Sequence, residues 1–444
     1  MLLDLIYLIA FVVLLPWVAW RKFSGGRPVA APWIRFTGAI PRLPPKGARQ
    51  RVWLHGVSVG EIQLLSSLAR EIGTQAAAAG MAIDVVASSS TTTGLELAAK
   101  RFGAGAVFPC PLDFTWAVGR VFERVDPDML VLGELELWPH LLDRAWRRGV
   151  PVVVANGRLS ERSARGYRRL APLVRRMLGQ VTLVSARSAA DAGRFRTLGA
   201  AHVVEAGSMK FDGVRGDREA DDVRRLARLA DFRTDDIVFL AGSTQAPEEA
   251  LAIEAYRSAC GDHPRLRLVI VPRHVERTVE IIPLLDATGL RWQARSTLDT
   301  TGPLPEARIL LVDTTGELGA WWGTARIAFV GGSLDGKRGG QNMLEPAAYG
   351  AAVCFGPHTR NFADEVAVLL AADAARVVTD GPGLKAFVRA SLDAPRGCDE
   401  LGRRAASTVA AHRGATAATA ARIVERLRAR SRASEGCPSP REPG

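Results

Sequence analysis

The sequence predicts an α/β protein made of two domains of similar size, each built around a parallel sheet. The first observation is length, because 444 residues exceed what one ordinary hydrophobic core supports. The second is a regular alternation of short apolar runs with amphipathic helical patterns, which is typical of repeated βαβ units. The third is a polar, glycine-containing stretch, Gly207–Asp217, which interrupts the alternation and indicates a linker.

The apolar runs predict the strands of each domain. In the first half they are Val52–Leu54, Ile83–Ala87, Ala106–Phe108, Met129–Leu132, Val152–Ala155, Val181–Ser185 and His202–Glu205. After a helix predicted at Arg218–Ala230, they are Ile237–Ala241, Leu266–Val271, Ile309–Val312, Ile327–Val330, Ala352–Phe355 and Arg376–Val378. Because the connections are helical, we expect parallel sheets covered on both faces, and hence two Rossmann-like domains facing a cleft.

The N-terminal segment differs from the rest, because Leu2–Trp20 is nearly all apolar apart from interruptions such as Asp4 and Pro16. Its length is just enough to span the hydrocarbon of a bilayer, and a shallow or re-entrant anchor is the alternative. Basic residues follow the segment instead of preceding it, which is not the arrangement of a cleaved secretory signal. The positive-inside rule then predicts a single N-terminal anchor with the body of the protein in the cytoplasm.

These patterns set the predicted domain limits. We expect a membrane anchor at residues 1–22, a first Rossmann-like domain at 23–212, a second at 213–430 and a disordered tail at 431–444. The tail lacks hydrophobic periodicity, so it offers no face that could be buried against a core.

Composition narrows the class of function. A chain with 48% hydrophobic and 23% charged residues is globular, and its net charge of +12 would suit nucleic acid or an anionic membrane. Most cations are arginines, however, a bias that nucleotide composition can produce, and no basic–aromatic interleaving suggests base stacking. We therefore expect no nucleic acid partner. The five cysteines are scattered without zinc-ligand spacing, which fits a reducing compartment.

The stretch from Arg51 to Glu61 carries the clearest chemical signal. A short apolar strand runs into a turn of small residues, and Glu61 then opens an amphipathic helix. A carboxylate is thereby placed at a helix start, on the edge of the sheet where open α/β domains bind ligands. The alternative interpretation is a glutamate that merely complements the helix dipole.

The second half places polar and glycine-rich sequences directly after its strands, as expected for a phosphate or nucleotide site. A glycine pair just before a predicted helix, Gly339–Gly340, could direct backbone N–H groups at an anion, and Arg273 could form a fork with a phosphate. Glu345, four residues after Gln341 on one predicted helix, could accept a hydrogen bond from a ribose hydroxyl. Neither a phosphate loop with the spacing of ATPases nor a dinucleotide fingerprint is present, so those two classes are not expected.

With these motifs in order, the chain resembles bacterial 3-deoxy-D-manno-octulosonic acid (Kdo) transferases of lipopolysaccharide synthesis, glycosyltransferase family 30. The resemblance covers roughly residues 1 to 425. It is carried by W-L-H-G-V-S-V-G-E, then Ser88–Gly94, Pro111–Asp113, Gly133–Pro139, Asn156–Ser163, Lys210–Asp212, G-S-T, P-R-H-V-E-R, Asp313–Leu318, F-V-G-G-S, N-M-L-E-P and Gly356–Phe362.

The resemblance implies a GT-B fold, CMP-Kdo as donor and a lipid A precursor (lipid IVA) as acceptor at the cytoplasmic face of the inner membrane. It implies catalytic roles for Glu61, Glu134 and Lys210, with Glu136 and Trp138 shaping the same loop. Together with the strand-end loops it indicates donor contacts from Ser243, Thr244, Pro272, Arg273, His274, Thr315, Gly316, Glu317, Gly332, Asn342, Met343, Leu344 and Glu345. On the acceptor side it indicates Ser58, Gly60, Ser88, Thr93 and Arg158.

The implied reaction is a direct displacement in which Glu61 deprotonates the acceptor hydroxyl and CMP leaves, so no cofactor or metal is expected. Where the family usually has His, this chain has Gln245 and Gln341, so an acid–base role at those positions is not expected. Two alternatives stay open: a GT-B transferase with another nucleotide-sugar donor, and a non-catalytic, membrane-tethered nucleotide-binding protein.

One further feature concerns the membrane. The stretch Asn156–Arg176 contains seven arginines and one acid, interleaved with apolar residues, which predicts a basic amphipathic helix on an anionic membrane surface. The alternative is a solvated helix in an arginine-rich protein.

Overall fold

The computed structural model describes residues 3–9, 13 and 31–435. The chain divides into two compact units, Met1–Gly213 together with Arg413–Gly444, and Val214–His412. The division between the units falls inside the stretch predicted as a linker.

The first unit contains a seven-stranded sheet with the order β3-β2-β1-β4-β5-β6-β7. All its strand pairs are parallel. The strands are β1 (Gln50–His55), β2 (Ile83–Ser89), β3 (Val107–Pro109), β4 (Met129–Gly133), β5 (Val152–Gly157), β6 (Leu183–Ala186) and β7 (Val203–Glu205). The strand order reverses direction between β1 and β4, so loops leaving these two strands diverge and open a crevice at their carboxyl ends.

Helices connect the strands of this unit. They are α1 (Pro32–Thr37), α2 (Val59–Ala78), α3 (Thr92–Phe102), α4 (Thr115–Val125), α5 (Pro139–Arg147), α6 (Glu161–Arg168), α7 (Ala171–Gly179) and α8 (Ala189–Thr197), with a 3-10 turn at Ala104–Ala106. Apolar side chains fill both faces of the sheet. Trp53 packs on one face, while its neighbours Val52 and Leu54 pack on the other, because successive side chains of a strand alternate.

The C-terminal helix of the chain, α18 (Ala415–Glu435), belongs to the first unit and packs against α2. Ala420, Ile423 and Leu427 are wholly buried in the same cluster as the β1 and β4 residues of that face. The prediction that 213–430 forms one domain is therefore wrong at its C-terminal end. Residues 431–435 continue this helix instead of a disordered tail, and residues 436–444 lie outside the described part of the chain.

Asp212 holds the start of α18, because its carboxylate accepts the backbone N–H groups of Gly414 and Thr416, both at 2.6 Å. Asp212→Ala is expected to lower the free energy of unfolding by about 1 kcal/mol, the usual cost of losing a helix cap. Chemical denaturation of both proteins would measure this. Asp380→Ala removes the cap of a helix in the other unit, through Gly383, and serves as a matched control. Unchanged stability in Asp212→Ala would show that α18 is held by its apolar face alone.

The second unit contains another parallel seven-stranded sheet, with the order β10-β11-β9-β8-β12-β13-β14. Its strands are β8 (Ile237–Thr244), β9 (Leu266–Pro272), β10 (Trp292–Ala294), β11 (Ile309–Leu311), β12 (Ile327–Val330), β13 (Ala352–Phe355) and β14 (Arg376–Val377). The short β10 was not predicted, because its three residues, Trp-Gln-Ala, do not form a continuous apolar run. Here the strand order reverses between β8 and β12.

The helices of the second unit complete the Rossmann-like pattern. They are α9 (Asp221–Leu229), α10 (Glu248–Arg257), α11 (Thr278–Asp286), α12 (Arg295–Thr301), α13 (Leu318–Trp321), α14 (Leu344–Ala348), α15 (Ala363–Ala371), α16 (Gly381–Asp393) and α17 (Pro395–Ala411), with 3-10 turns at Val275–Arg277, Trp322–Thr324 and Arg360–Phe362.

The predicted N-terminal anchor falls mostly outside the described residues. Residues 3–9 are helical, and Asp4 is buried where its carboxylate accepts the N–H and hydroxyl of Thr115. Tyr7 donates its hydroxyl to Asp113 at 3.3 Å. Within the part of the chain that the structure describes, no helix has the length and apolar character needed to cross a bilayer.

Candidate active site

Glu61 and Glu134 lie just beyond the carboxyl ends of two neighbouring strands, β1 and β4, where the strand order of the first sheet reverses. Glu61 stands in the first turn of α2, three residues after its N-cap Ser58, and Glu134 follows β4 directly. The backbone N–H of Glu134 donates to Ala155 on β5, which fixes the turn. The structure therefore brings these two predicted residues to the place where open α/β sheets bind ligands.

Glu61 also caps its own helix. Its Oε2 accepts the Val57 N–H and its Oε1 accepts the Ser58 hydroxyl, both at 2.8 Å, while Ser58 Oγ accepts the Glu61 N–H at 3.2 Å. This is the reciprocal arrangement of a capping box. Glu61 therefore does stabilise the start of its own helix, as the alternative interpretation held. The same hydrogen bonds fix the carboxylate in one orientation, and the residue is only half-buried.

Two glycines allow α2 to approach the sheet this closely. A Cβ on Gly56 would lie 3.1 Å from the Glu61 Cβ, and one on Gly133 would lie 3.6 Å from the same atom. The Gly133 Cβ would also lie 3.3 Å from the carbonyl oxygen of His55. A larger side chain at either position would push the helix start, and with it Glu61, away from the strand ends.

The surroundings of Glu61 raise its pKa and so disfavour its ionised form. Burial raises the pKa of Glu61, hydrogen bonds from Val57 and Ser58 oppose this, and the negative charge of Glu134 raises it further. Burial raises the pKa of Glu136 to about 7, although Trp138 donates a hydrogen bond to it at 2.9 Å. A base with a raised pKa is well matched to accepting a proton near neutral pH.

A small pocket adjoins the two glutamates. It is lined by Glu61, Leu64, Leu65, Gly133, Glu134, Ala155, Asn156 and Met209. Lys210 is half-buried and directly follows Met209, so the structure brings its segment to this pocket. Asn156 was noted in the sequence only as the start of a motif. No local pattern distinguishes it from a turn asparagine.

The acceptor-side residues separate into two groups. Ser58, Gly60 and Thr93 are exposed in the first turns of α2 and α3 or at their start, and Arg158 is half-buried just after β5. Ser88 differs, because it is wholly buried and its hydroxyl bonds to Trp53 Nε1 at 2.8 Å and His55 Nδ1 at 2.9 Å. The hydroxyl of Ser88 therefore supports the interior of the sheet, and its assignment to the acceptor side stays a prediction.

His55 is a structural hydrogen-bonding residue. It is wholly buried, and burial lowers its pKa to about 4, so the ring is neutral at physiological pH. The ring is therefore unsuited to carrying a proton near neutral pH, and its contacts with Ser88 join β1 to β2.

In the second unit, the loops after β8 and β12 meet at the reversal point. The carboxylate of Glu248 fills this junction and accepts four backbone N–H groups, from Gln245, Gly332, Ser333 and Leu334, at 2.7–3.2 Å. The backbone N–H of Gly332, a predicted donor contact, is thus already engaged within the protein, and a contact between Gly332 and the donor stays a prediction. The nest exists, but an internal carboxylate occupies it.

Side-chain donors and acceptors remain beside this junction. Thr244 Oγ1 and Gln245 Oε1 are buried and have no hydrogen-bond partner among the described residues. The Nε2 atoms of Gln245 and Gln341 lie 3.3 and 3.4 Å from the position of a Cβ on Gly332. The two glutamines that replace histidine are therefore neighbours, and Ser243 precedes them in a left-handed conformation with φ of 54°.

Arg273 and Glu345 form the charged part of the predicted donor site. Arg273 is exposed after β9, and Glu345 lies in α14, where Asn342 Nδ2 donates to it at 3.0 Å. Burial raises the pKa of Glu345, and the charge of Arg273 opposes this, so the two side chains lie near each other. Helix α14 begins at Leu344, so Gln341 precedes the helix on which it was expected.

The other donor-side residues vary in accessibility. Thr315, Gly316 and His274 are exposed, whereas Pro272, Met343 and Leu344 are buried. Glu317 is already engaged, because Arg295 binds both of its oxygens at 2.9 Å and Thr314 donates to it at 2.8 Å. These contacts brace the loop that carries Thr315 and Gly316, and a direct contact between Glu317 and the donor stays a prediction.

Among residues 3–9, 13 and 31–435, no group of three or more His, Cys, Asp or Glu side chains is arranged to hold a metal ion. That the reaction needs no metal stays a prediction.

Comparisons with known proteins place this site in a family. The family model for 3-deoxy-D-manno-octulosonic-acid transferase matches residues 34–213. The chain is 31% identical to a 3-deoxy-D-manno-octulosonic acid transferase of Haemophilus influenzae, over 86% of this chain and 87% of that protein. It is 32% identical to the protein of the same name from Bordetella pertussis, over 91% of this chain and 93% of that protein.

Solved structures support the fold. A UDP-GlcNAc 2-epimerase from Neisseria meningitidis matches 86% of this chain with a TM-score of 0.56 and 12% identity, covering 100% of that chain. A putative UDP-N-acetylglucosamine 2-epimerase from Listeria monocytogenes matches 87% with a TM-score of 0.55 and 12% identity, covering 98% of that chain. These likenesses support the GT-B arrangement of two parallel-sheet domains. With the family match and the two relatives, they show that the chain belongs to the 3-deoxy-D-manno-octulosonic acid transferase family and is a glycosyltransferase.

Proposed function

We propose that this protein transfers Kdo from CMP-Kdo to a hydroxyl of a lipid A precursor, with inversion at the anomeric carbon. The observation that carries this proposal is Glu61, a carboxylate held in one orientation at the reversal point of the first sheet, with a raised pKa and a pocket beside it. Family membership supplies the group that is transferred.

In the proposed reaction, Glu61 takes the proton of the acceptor hydroxyl. The oxygen forms a bond to the anomeric carbon of Kdo, and the bond from that carbon to the phosphate oxygen breaks, so its electron pair leaves with CMP. Glu134 stands beside Glu61 and raises its pKa, while Lys210 supplies a compact cation for the carboxylate or phosphate of the donor.

The donor contacts in this proposal come from side chains of the second unit. Arg273 offers a guanidinium to the phosphate, and Glu345 accepts a hydrogen bond from the ribose or base. Thr244 and Gln245 offer buried polar atoms that have no partner in the described part of the chain. Backbone N–H groups of the loop after β12 are not invoked, because Glu248 uses them.

A turnover assay with purified protein, CMP-Kdo and lipid IVA tests the proposal. We expect CMP release that depends on both substrates, with no turnover when a UDP-sugar replaces CMP-Kdo. Turnover with a UDP-sugar alone would favour the alternative donor. Tight CMP binding without any turnover would favour the non-catalytic, membrane-tethered alternative.

We further propose that the protein acts at the cytoplasmic face of the inner membrane, held by its N-terminal segment. Leu5, Ile6 and Ile9 are at least half exposed on the short helical segment whose Asp4 is buried against the first unit. The apolar side of this segment faces away from the protein, an orientation that suits a lipid interface.

The arginine-rich stretch of the first unit supports a second membrane contact. It forms two helices, α6 and α7, instead of the one helix that was predicted. Leu170 and Leu173 are 58% and 40% exposed there. Arg165, Arg168 and Arg169 are exposed, and no ion pair joins them to other described residues. Exposed leucines next to arginines are the combination expected at an anionic lipid surface.

Replacing Arg165, Arg168 and Arg169 by Gln in a chain that starts at residue 23 is expected to release it from anionic vesicles. Each arginine near the surface adds on the order of 1 kcal/mol, which is lost as salt rises. Vesicle flotation at low and high salt would measure the effect, after melting curves have shown that the shortened chain is folded.

The matched control replaces Arg228, Arg233 and Arg291, three exposed arginines of the second unit, by Gln. The same loss of charge there should leave vesicle binding unchanged. If the shortened chain ignores anionic vesicles at low salt, the arginine cluster reflects composition and the N-terminal segment is the membrane contact.

A further inference from the structure

Asn156 has an unusual position at the end of β5. It is only 3% exposed, and its φ of 55° lies in the left-handed region. Its Oδ1 accepts the N–H of Met209 at 3.0 Å, which fixes the orientation of the amide. Its Nδ2 is buried and has no hydrogen-bond partner among the described residues. A buried amide that satisfies only its acceptor carries a cost that a ligand could repay.

The backbone around Asn156 is strained together with that of its neighbour. Glu134, at the end of the adjacent β4, has the same φ of 55°. The two strands are in register up to Gly133 and Ala155, the residues that immediately precede this pair. Two neighbouring non-glycine residues in the left-handed region cost free energy, which glycine at these positions would avoid. Such conformations cluster at functional sites. At Asn156 this conformation coincides with a register shift of β5 against β6, between Val154 and Gly157.

The surroundings select the kind of oxygen that Asn156 can meet. Glu61 and Glu134 are among the residues that line the pocket next to it, and their charges act on each other there. An anionic group placed there would be repelled by two carboxylates, whereas a neutral hydroxyl would not. A sugar hydroxyl oxygen can accept the Nδ2 hydrogen while its own proton is directed at a carboxylate.

We propose that Asn156 binds the acceptor substrate, its amide N–H donating to a sugar hydroxyl oxygen and holding that hydroxyl beside Glu61. This inference rests on the proposed function and adds to it a contact with the acceptor. The Oδ1 atom has a separate role. It holds Met209, and therefore positions the segment that carries Lys210.

The variant Asn156→Asp separates the two roles. Aspartate tolerates the left-handed conformation and keeps an oxygen for the Met209 N–H, but its ionised form cannot donate. We expect kcat/KM for lipid IVA to fall about 10-fold, the order expected for one hydrogen bond. The KM for CMP-Kdo should change little, while the melting temperature should fall, because the new carboxylate is buried beside Glu61 and Glu134. If Asn156 served only to hold Met209, Asn156→Asp would keep wild-type turnover, and that result would overturn the inference.

Asn156→Gly provides the second arm, because it permits the same φ and adds no charge. It removes both hydrogen bonds, so we expect at least the loss seen in Asn156→Asp. Normal turnover in Asn156→Gly, combined with a loss in Asn156→Asp that disappears at higher pH, would trace the effect to added charge on Glu61 and would contradict the inference. A wild-type protein inactive with CMP-Kdo and lipid IVA would instead contradict the proposed function itself.

Discussion

Glu61→Gln is expected to lower turnover by about 100-fold or more, the usual contribution of a positioned general base. Glutamine keeps the shape of the side chain and can still hydrogen-bond to Val57 or Ser58, but it cannot accept the proton of the acceptor hydroxyl. The measurement is steady-state CMP release with saturating CMP-Kdo and lipid IVA. Affinity for CMP should be unchanged, because Glu61 makes no contact with the nucleotide in the proposed reaction.

The capping role of Glu61 requires a control, since loss of the cap alone could lower activity by loosening α2. Ser188→Ala removes the N-cap of α8 in the same unit, where Ser188 Oγ accepts the Asp191 N–H at 3.1 Å. Its melting temperature should fall by as much as that of Glu61→Gln, while its turnover stays normal. Near wild-type turnover in Glu61→Gln would remove Glu61 from the mechanism and leave it a helix cap.

The raised pKa of Glu61 makes a further prediction for the dependence on pH. The base is active when deprotonated, so kcat/KM should fall as the pH drops through its pKa. Burial is the largest cause of the shift, and the charge of Glu134 adds to it. Glu134→Gln removes that charge, so the acid limb of the profile should move to lower pH, whatever the maximal rate becomes. A limb that stays in place would mean that another group controls it.

Arg273→Ala and Glu345→Ala are each expected to weaken CMP binding by roughly 10- to 150-fold. This corresponds to about 1.5–3 kcal/mol for a lost hydrogen bond to a charged group. Arg273 is exposed after β9 and can reach a phosphate, while the buried carboxyl of Glu345 is held by Asn342. Isothermal titration calorimetry with CMP measures both variants against the wild type.

A control for the loss of a cation lies at the opposite end of the same strand. Arg265 precedes β9 and pairs with Asp235 at 3.0 Å, so Arg265→Ala removes equal charge from the edge that does not bind ligand. CMP affinity should stay normal there. For Glu345→Ala, a melting curve separates a local loss of binding from a loss of fold. Equal CMP affinity in wild type, Arg273→Ala and Glu345→Ala would show that the nucleotide binds elsewhere.

Much of this protein could be predicted from the sequence because the relevant signals are local. Alternating apolar runs and amphipathic periods identified most strands, including β12 and β13 with their exact limits. The amphipathic pattern that begins at Glu61 marked a helix start, and a strand before it placed Glu61 at the carboxyl edge of a sheet. These features depend on neighbours within a few residues, so the sequence alone determines them.

Tertiary structure decided the contacts between segments that are far apart in the chain. The carboxylate of Glu248 accepts the backbone N–H of Gly332, a predicted donor contact, although the two residues are 84 positions apart in the sequence. Helix α18 returns to the first unit, because the face of α2 needs an apolar cover and Asp212 caps the start of the helix. Distant residues also determine the environments of Ser88, whose hydroxyl meets Trp53 and His55, and of Asn156, whose side-chain oxygen meets Met209 while its N–H donor stays unused. Periodicity shows that a side chain faces a core or an edge, but which distant group meets it there depends on how the strands are ordered in the sheet.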